Sequence, residues 1–590
     1  MSGRHRNFPG PDQDRIFRRS HQCQRRHRAE APMTTETTTP QYNLATVNEA
    51  VAERVPDRAS IVFRDRRFTH AQLAARTRQL AHVLADRGLG ARPTGHGGPS
   101  THESHQDHLA VYAYNGNEYL EAMLGAFKAR VVPVNVNYRY VAEELRHVLR
   151  DSAAKAVVYH SAFAPTLAEV LPDLPELRVR LQVADGSGNE LLPGSEWYEQ
   201  ALAQAPATLP EWAPDWSPDD LYLVYTGGTT GMPKGVLWRQ ADIHRTAMGG
   251  RNPLTRQPWR TLDELAEFAA TNIAPQVVLA ASPYMHGAGH WTAFLGLNQG
   301  GTVVIQDNVE RLDPADICSA IHREKVTYLQ MIGDAFARPI VEEMERGSYD
   351  LSSLRTVLSG GTALTPPVKT RLLARMPQVR LIESVGSSEG GGQAVQTTTA
   401  GGTSSTGTFS PTEGSVVVSA DFARVLGPGD DEVGWLAKRG DIPLGYLGDP
   451  VKTAQAFPIV AGERMVVPGD RAQRLADGTI KLLGRDSMTI NSGGEKIFSE
   501  EVEAAIIAHP DVSDVVVASR PSQRWGQEVV AIVHLHRGAS VSESDLASEA
   551  ARHIARYKLP KAWVFVDAVQ RTAAGKADYR WAVKVAAAAS

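Results

Sequence analysis

A stretch of small and hydroxylated residues interrupts the chain at Leu221-Tyr-Leu-Val-Tyr-Thr-Gly-Gly-Thr-Thr-Gly-Met-Pro-Lys-Gly-Val236. Its first five residues, Leu221 to Tyr225, have the apolar character of a buried strand. Every residue from Thr226 to Gly231 is Thr or Gly, and Pro233 and Lys234 follow. Glycine lets the backbone turn tightly and bring N–H groups up to an anion. Thr hydroxyls add donors that reach phosphate oxygens, and Lys234 adds a mobile positive charge. The chemistry this suits is the holding of a phosphate chain. A plain turn between a strand and a helix would not need this run of Thr and Gly with a lysine just beyond it. The G-x-x-x-x-G-K-[ST] spacing of the other common phosphate loop is absent.

Such a loop needs a rigid frame. Phe68 to Gly88 is expected as an amphipathic helix, because Leu73, Leu80, Val83 and Leu84 recur at helical spacing. Leu109 to Tyr114, Val131 to Val136 and Ala156 to Tyr159 are strand candidates. Tyr119 to Ala129 and Ala142 to Leu149 are the helices between them. The alternation recurs through Val277 to Ala280, Thr302 to Ile305, Tyr328 to Met331 and Val357 to Leu358. It implies βαβ units and a mainly parallel sheet with helices on its faces. Lys481 to Asp486 closes that pattern. A new one follows: helix Glu500 to Ile507, strands Asp514 to Ser519 and Val529 to His536, and helix Glu543 to Ile554. This predicts a separate α+β unit of ordinary small-domain size, divided from the first at the hydrophilic turn Gly484-Arg485-Asp486-Ser487.

Of the 590 residues, 42% are hydrophobic and 22% charged, an ordinary globular mixture with material for large cores. Lys+Arg number 62 against 66 Asp+Glu, a net charge of −4. That balance gives no electrostatic case for a nucleic-acid partner or a polybasic membrane surface. The two cysteines, Cys23 and Cys318, exclude a disulfide scaffold and a Cys-rich metal site. No apolar run approaches a membrane span. Residues 1–33 carry eight Arg against three acidic residues and are expected to be a disordered basic tail, with Met33 an alternative start. The tail has no apolar core of a secretory signal, so a cytoplasmic location is expected. The stretch Ala91 to His108 has four His, at 96, 102, 105 and 108, but its Gly, Pro and Ser content reads as a surface loop.

Several separate motifs resemble the adenylate-forming (AMP-binding) superfamily, over about Tyr42 to Ala582. Thr226-Gly-Gly-Thr-Thr-Gly-Met-Pro-Lys234 is similar to its phosphate loop. The resemblance implies ATP contacts from Thr226, Gly227, Gly228, Thr229, Thr230, Gly231 and Lys234, with Thr229 among the catalytic groups. Pro283-Tyr-Met-His-Gly-Ala-Gly289 resembles the segment beside the acyl pocket and nominates His286. In Leu358-Ser-Gly-Gly-Thr-Ala363, the residues Gly361, Thr362 and Ala363 match the adenine-contacting turn. Ser384-Val-Gly-Ser-Ser-Glu389 resembles the family's Tyr-Gly-x-Thr-Glu. There Val385, Gly386, Ser387 and Ser388 would meet the nucleotide, and Glu389 would hold Mg²⁺ through oxygen, as a hard cation prefers. Ser388 keeps the hydroxyl of the usual Thr, whereas Val385 replaces the aromatic that commonly stacks on adenine.

Val466-Val-Pro-Gly-Asp470 is similar to the segment whose Asp accepts from both ribose hydroxyls, and Arg485 matches an Arg that also contacts the nucleotide. By count from Arg485, Ser487 occupies the pivot of the family's hinge, where Asp or Lys is usual. Ser492-Gly-Gly-Glu-Lys-Ile497 resembles the loop that lines the CoA thiol tunnel, which nominates Ser492, Gly493, Gly494 and Glu495. Arg571-Thr-Ala-Ala-Gly-Lys576 resembles the C-terminal lysine loop, so Lys576 would bridge carboxylate and α-phosphate.

The implied fold is α/β. A large N-terminal domain (34–484) has mixed, mainly parallel sheets with helices on their faces. A hinge (485–487) joins it to a small mobile α+β domain (488–590). The implied function is an acyl-CoA synthetase, most similar to bacterial fatty-acyl and steroid-side-chain CoA ligases. It would use ATP, Mg²⁺ and CoA to turn an apolar carboxylic acid into acyl-AMP and then acyl-CoA. A homodimer stays open. Two alternatives also stay open. One is an acyl-AMP ligase or adenylation enzyme loading a carrier protein, which the lack of an attached carrier domain before Ser590 disfavours. The other is a non-catalytic AMP- or acyl-binding protein, which would not need both Glu389 and Lys576.

Overall fold

The apolar runs Val277–Ala280, Thr302–Ile305 and Tyr328–Met331 form strands with the bounds expected from the sequence. Strands covered on both faces need no polar alternation, which is why parallel sheets read as continuous apolar runs. The computed structural model describes residues 40–92, 100–227, 232–361, 364, 366–402, 408–485, 489–570 and 579–589. In it these three strands lie beside Ala59–Phe63, Thr356–Gly360 and Arg380–Ser387 as the parallel part of a fourteen-stranded sheet. Beyond Arg380–Ser387 the same sheet continues in antiparallel strands, first Gly391–Thr398 and later Ile480–Arg485 and Asp470–Arg474.

A second sheet has eight strands among the described residues. Leu221–Gly227 runs parallel to Val132–Asn135, and the order continues through His108–Tyr112, Ala154–His160 and Val179–Val183. On its other side Leu221–Gly227 pairs antiparallel with Pro233–Arg239. The phosphate-type loop therefore links two antiparallel strands.

Helices fill the gap between the sheets and cover their outer faces. The central helix is Asn117–Lys128, with all 12 residues buried. Leu120, Leu124 and Phe127 join one core with Ile61 and Val303 of the first sheet and Val111 and Val224 of the second. A buried charge is tolerated only when paired, and this helix obeys that rule. Glu118 meets Arg66 at 2.6 Å, Glu121 meets Arg76 at 2.8 Å, and Lys128 meets Glu49 at 2.6 Å. Ala142–Asp151 and Ala164–Val170 cover the outside of the eight-stranded sheet. Pro314–Glu324, Gly333–Arg346 and Pro366–Arg375 cover the outside of the other.

The small domain has its own core around Val517, Val529, Ala531, Ile506 and Leu546. Val512–Ser522 and Gly526–Leu535 form the expected antiparallel pair, and Ala562–Phe565 adds a parallel strand. Thr489–Ser492 and Glu495–Phe498 form a hairpin that the sequence reading left unassigned.

Three expectations are corrected. The helix expected from Phe68 starts at His70, because Thr69 caps it in a reciprocal box with Gln72, and Phe68 belongs to strand Arg66–Thr69. The helix expected to reach Ile554 ends at Ala550, where Arg552 and His553 N–H groups bond three residues back and tighten the last turn. Gly484 and Arg485, expected in a turn, are strand residues paired with Arg471 and Asp470, and Asp486 and Ser487 lie outside the described residues. The basic tail 1–33 lies outside the described residues. Among the described residues, no helix is long and apolar enough to cross a membrane, and no cluster of three His, Cys, Asp or Glu could hold a metal ion.

Candidate nucleotide and acyl site

The strand register sets the phosphate-type loop. Thr226 lies opposite Lys234, and Gly227 opposite Pro233. The loop thus leaves the sheet between a hydroxyl and an ammonium group. Gly228, Thr229, Thr230 and Gly231 lie outside the described residues. Asn135 clamps the base of the loop strand: its side chain donates to Tyr225 O at 3.1 Å and accepts from Tyr225 N at 2.6 Å. Lys234 Nζ is 3.6 Å from Asp449 Oδ2 and 5.8 Å from the Tyr446 ring centre. The Tyr446 hydroxyl in turn donates to Glu389 Oε1 at 2.9 Å. One tyrosine therefore links the lysine of the loop to the expected cation ligand.

Glu389 projects from the turn between Arg380–Ser387 and Gly391–Thr398. Two side chains from elsewhere in the chain fix that turn through three hydrogen bonds. The Trp238 indole N–H donates to Ser388 O at 3.0 Å. The buried Lys438 ammonium donates to Gly390 O at 3.0 Å and Gly392 O at 3.1 Å. Between those carbonyls Gly391 has φ +59°, a conformation glycine adopts readily. A carboxylate oxygen presented on a stiff turn suits Mg²⁺, which is commonly held by one or two carboxylates together with substrate phosphates.

A cavity of about 350 Å³ opens at the carboxyl ends of Tyr328–Met331, Thr356–Gly360 and Arg380–Ser387. Open α/β sheets bind ligands at this end. Thr226, His286, Gly361, Gly386, Ser387, Ser388, Gly494 and Glu495 all line it. Lys234, Val385, Glu389, Asp470, Ser492 and Gly493 are not part of its wall. Val385 packs instead toward Leu436, Ala472 and Ile480. Asp470 is buried and stands directly across the ladder from Arg485, fifteen positions later in the chain. Thr362, Ala363, Ser487 and Lys576 lie outside the described residues.

The small domain enters the cavity through the turn of its hairpin. Ser492 pairs with Glu495, leaving Gly493 and Gly494 as a two-residue turn with φ +59° and +87°. Positive φ at both turn residues matches the twist of the flanking strands and selects glycine. A Cβ on Gly494 would collide with Ile332 of the large domain. Glu495, next in the chain, forms an ion pair with Arg139, and its Oε1 is 3.2 Å from His286 Nε2. Burial pushes the Glu495 carboxyl up, but His286, Arg139 and Lys558 together pull it down to about 2. The Asn137 side chain donates to the Tyr557 hydroxyl at 3.1 Å across the same boundary.

The other side of the cavity is mostly apolar or small, with Ala247, Trp291, Leu295 and Thr292 in its wall. Trp291 is held by a directional chain. Its indole N–H donates to Tyr222 Oη at 2.9 Å, Tyr222 donates to His290 Nε2, and His290 Nδ1–H donates to Tyr284 O at 2.6 Å. The chain requires a neutral imidazole, and burial indeed lowers His290 to about 4. Sequence reading missed Arg139, Trp238, Lys438, Tyr446, Tyr557 and Lys558. Arg139, in Val134 to Val141, and Trp238, in Leu221 to Arg239, sit in segments that resemble bacterial fatty-acyl and steroid-side-chain CoA ligases, which was the available signal.

Comparison with known proteins gives the family. Residues 48–446 match the AMP-binding enzyme family and 501–576 match the AMP-binding enzyme C-terminal domain. The medium-chain acyl-CoA ligase Mig of Mycobacterium avium is 51% identical over 545 residues, covering 92% of this chain and 98% of that protein. A medium/long-chain-fatty-acid and 3-oxocholest-4-en-26-oate CoA ligase of Mycobacterium tuberculosis is 39% identical over 543 residues, covering 92% and 95%. The amide bond synthetase McbA of Marinactinospora thermotolerans shares the fold with a TM-score of 0.72 at 23% identity, covering 91% and 99%. The o-succinylbenzoate CoA synthetase of Bacillus subtilis does so with 0.71 at 22%, covering 92% and 98%. The chain belongs to the AMP-binding enzyme family.

Proposed function

We propose that this chain is an AMP-forming acyl-CoA ligase acting on medium- to long-chain or similarly bulky apolar carboxylic acids. One observation carries the reading of the site. The Gly494–Glu495 turn of the small domain reaches the same cavity as Thr226, Ser387 and the apolar wall around Trp291. A phosphate-type loop strand, an adenine-type turn, an acyl-sized wall and a second-domain turn thus meet at one point.

A carboxylate is a poor acyl donor because its leaving group would be oxide. In the first half-reaction the acid attacks the α-phosphate of ATP and pyrophosphate leaves. This chemistry needs positioning and charge neutralisation above all. Thr226 and the loop after it, with Lys234, hold the phosphates. Lys576 bridges the acid and the α-phosphate. Glu389, steadied by Tyr446, would hold Mg²⁺, which supplies charge neutralisation when bound. Asp470 accepts from the ribose hydroxyls and Arg485 contacts the nucleotide. In the second half-reaction the CoA thiol attacks the acyl carbonyl and AMP leaves. The Gly493–Gly494 turn gives a slender pantetheine a close approach, after the small domain turns about residues 485–487 and withdraws Lys576. Hinge rotation of this kind exchanges one set of groups for another at a fixed site.

The test is incubation with ATP, Mg²⁺, CoA and free acids from acetate through long-chain fatty acids to steroid acids, read by mass spectrometry. Acyl-CoA from the apolar acids is expected. Acyl-AMP without thioester would overturn CoA as acceptor and point to a carrier protein. Neither product from any acid would overturn the ligase reading.

A further inference from the structure

Lys558 and Glu144 come from opposite sides of the domain boundary. Glu144 is on the large-domain helix Ala142–Asp151, where it also accepts the Val141 N–H at 3.3 Å. Lys558 ends the short turn Arg556–Lys558 of the small domain. Its Nζ is 2.6 Å from Glu144 Oε1, and the side chains are 4% and 1% exposed. The Tyr140 and Tyr557 rings flank the ammonium at 5.5 and 5.8 Å. Nearby, His553 Nδ1 lies 3.0 Å from Glu143 Oε2, again across the boundary. Lys558 also lines the cavity and helps hold the Glu495 carboxyl down, whereas Glu144 and His553 are not part of the cavity wall.

We infer that the buried Lys558–Glu144 pair is a positioning latch that selects the domain orientation in which the Gly494–Glu495 turn occupies the cavity. The inference rests on the ligase reading, because only a two-step enzyme needs two orientations. Its physical basis is the asymmetry of a buried ion pair. Bringing two charges out of water offsets most of their attraction, so the pair adds little net stability. Removing one partner is different, because the charge that remains is still buried but has lost its ion-pair partner. That penalty exists only in the orientation where the site is buried. When the small domain turns away, both side chains return to solvent and the substitution becomes silent. The latch therefore acts on the balance between orientations and not on the chemistry of either.

The test measures each half-reaction separately. Acyl-AMP formation is followed as pyrophosphate release without CoA. Thiol transfer is followed from supplied acyl-AMP and CoA. Glu144→Gln keeps the size and the backbone contact of Glu144. It is expected to slow thiol transfer about tenfold or more, while acyl-AMP formation stays within about twofold. Lys558→Met is expected to slow thiol transfer as well. The double variant Glu144→Gln/Lys558→Met strands no charge, so it should recover thiol transfer relative to either single variant. A group needed merely for folding or for contact with CoA would show no such recovery. Wild-type protein that performs neither half-reaction overturns the ligase reading on which the latch depends. Wild-type protein competent in both, with variants that slow both equally, slow neither, or add their losses in the double variant, overturns the latch alone.

Discussion

Glu495 Oε1 lies 3.2 Å from His286 Nε2, although the two residues are 209 positions apart and belong to different domains. The contact joins the turn expected to guide CoA to the residue expected beside the acyl group. With Arg139 meeting the same oxygen, the Glu495 carboxylate is the charged centre of the boundary.

Glu495→Gln should therefore weaken the boundary and remove an acid-sensitive element. Burial acts to raise the carboxyl, while His286, Arg139 and Lys558 bring it from 4.5 to about 2. A carboxylate depressed in the folded state stabilises it fully above its ordinary value, and that contribution fades as pH falls from about 4.5 toward 2. The wild type should lose stability across this window relative to Glu495→Gln. At neutral pH the variant should be less stable by about 1–3 kcal/mol, since Arg139 loses its partner. Urea denaturation of both proteins at pH 3 and pH 7 checks this, and equal differences at the two pH values would refute it.

Trp291 should set the depth of the acyl pocket. The chain through Tyr222 and His290 holds its indole against the cavity. Trp291→Ala opens space for longer acids, and each further buried methylene is worth about 0.8 kcal/mol, or roughly fourfold in preference. The kcat/KM profile over fatty acids of increasing length should move to longer chains. Tyr222→Phe should blur the preference without moving it, because the indole N–H and His290 Nε2 both lose a partner. Unchanged profiles in Trp291→Ala would place the acyl chain elsewhere.

Lys438 should make stability rise with alkaline pH. Burial lowers its ammonium from 10.5 to about 8, only partly offset by Asp441. Between about 8 and 10.5 the unfolded chain holds more protons than the folded one, so the folded state gains as pH increases. Below that window both states carry the charge and its burial is a constant penalty. Lys438→Met should flatten this slope and loosen the Gly390–Gly392 turn that presents Glu389, raising KM for ATP several-fold. Denaturation curves of both proteins from pH 7 to 10 test the slope, and parallel curves would exclude it.

The parts of the fold that local physics determines were legible in the sequence. Val277–Ala280 and Tyr328–Met331 read correctly because a strand covered on both faces is a bare apolar run between polar turns. The Thr226 to Lys234 segment was recognisable because its composition serves no ordinary turn. The hairpin Thr489–Ser492/Glu495–Phe498 was missed as structure, since Ser492-Gly-Gly-Glu read as a loop rather than as a turn with two positive-φ residues. Tyr446, Lys438 and Lys558 were invisible for another reason. Each acts through a partner 46 to 414 residues away, and no local pattern encodes such contacts. Val385 looked like a gap in an adenine site, but its side chain belongs to the Leu436 and Ile480 cluster.

Gly494→Ala should separate the two half-reactions by steric means. The residue has φ +87°, and an added Cβ would meet Ile332. The positive φ alone costs an alanine about 1–2 kcal/mol, roughly 5- to 30-fold in any step that needs the turn in place. The collision with Ile332 adds to it only while the small domain faces the cavity. Thiol transfer should therefore fall by more than tenfold, while acyl-AMP formation changes little. Adding Ile332→Ala removes the collision but not the backbone strain, so the double variant should regain part of the lost rate and not all of it. Full recovery would mean that the glycine is needed for space alone. No recovery would mean that the turn does not approach Ile332 during thiol transfer, and the orientation seen here would then have to serve a different step.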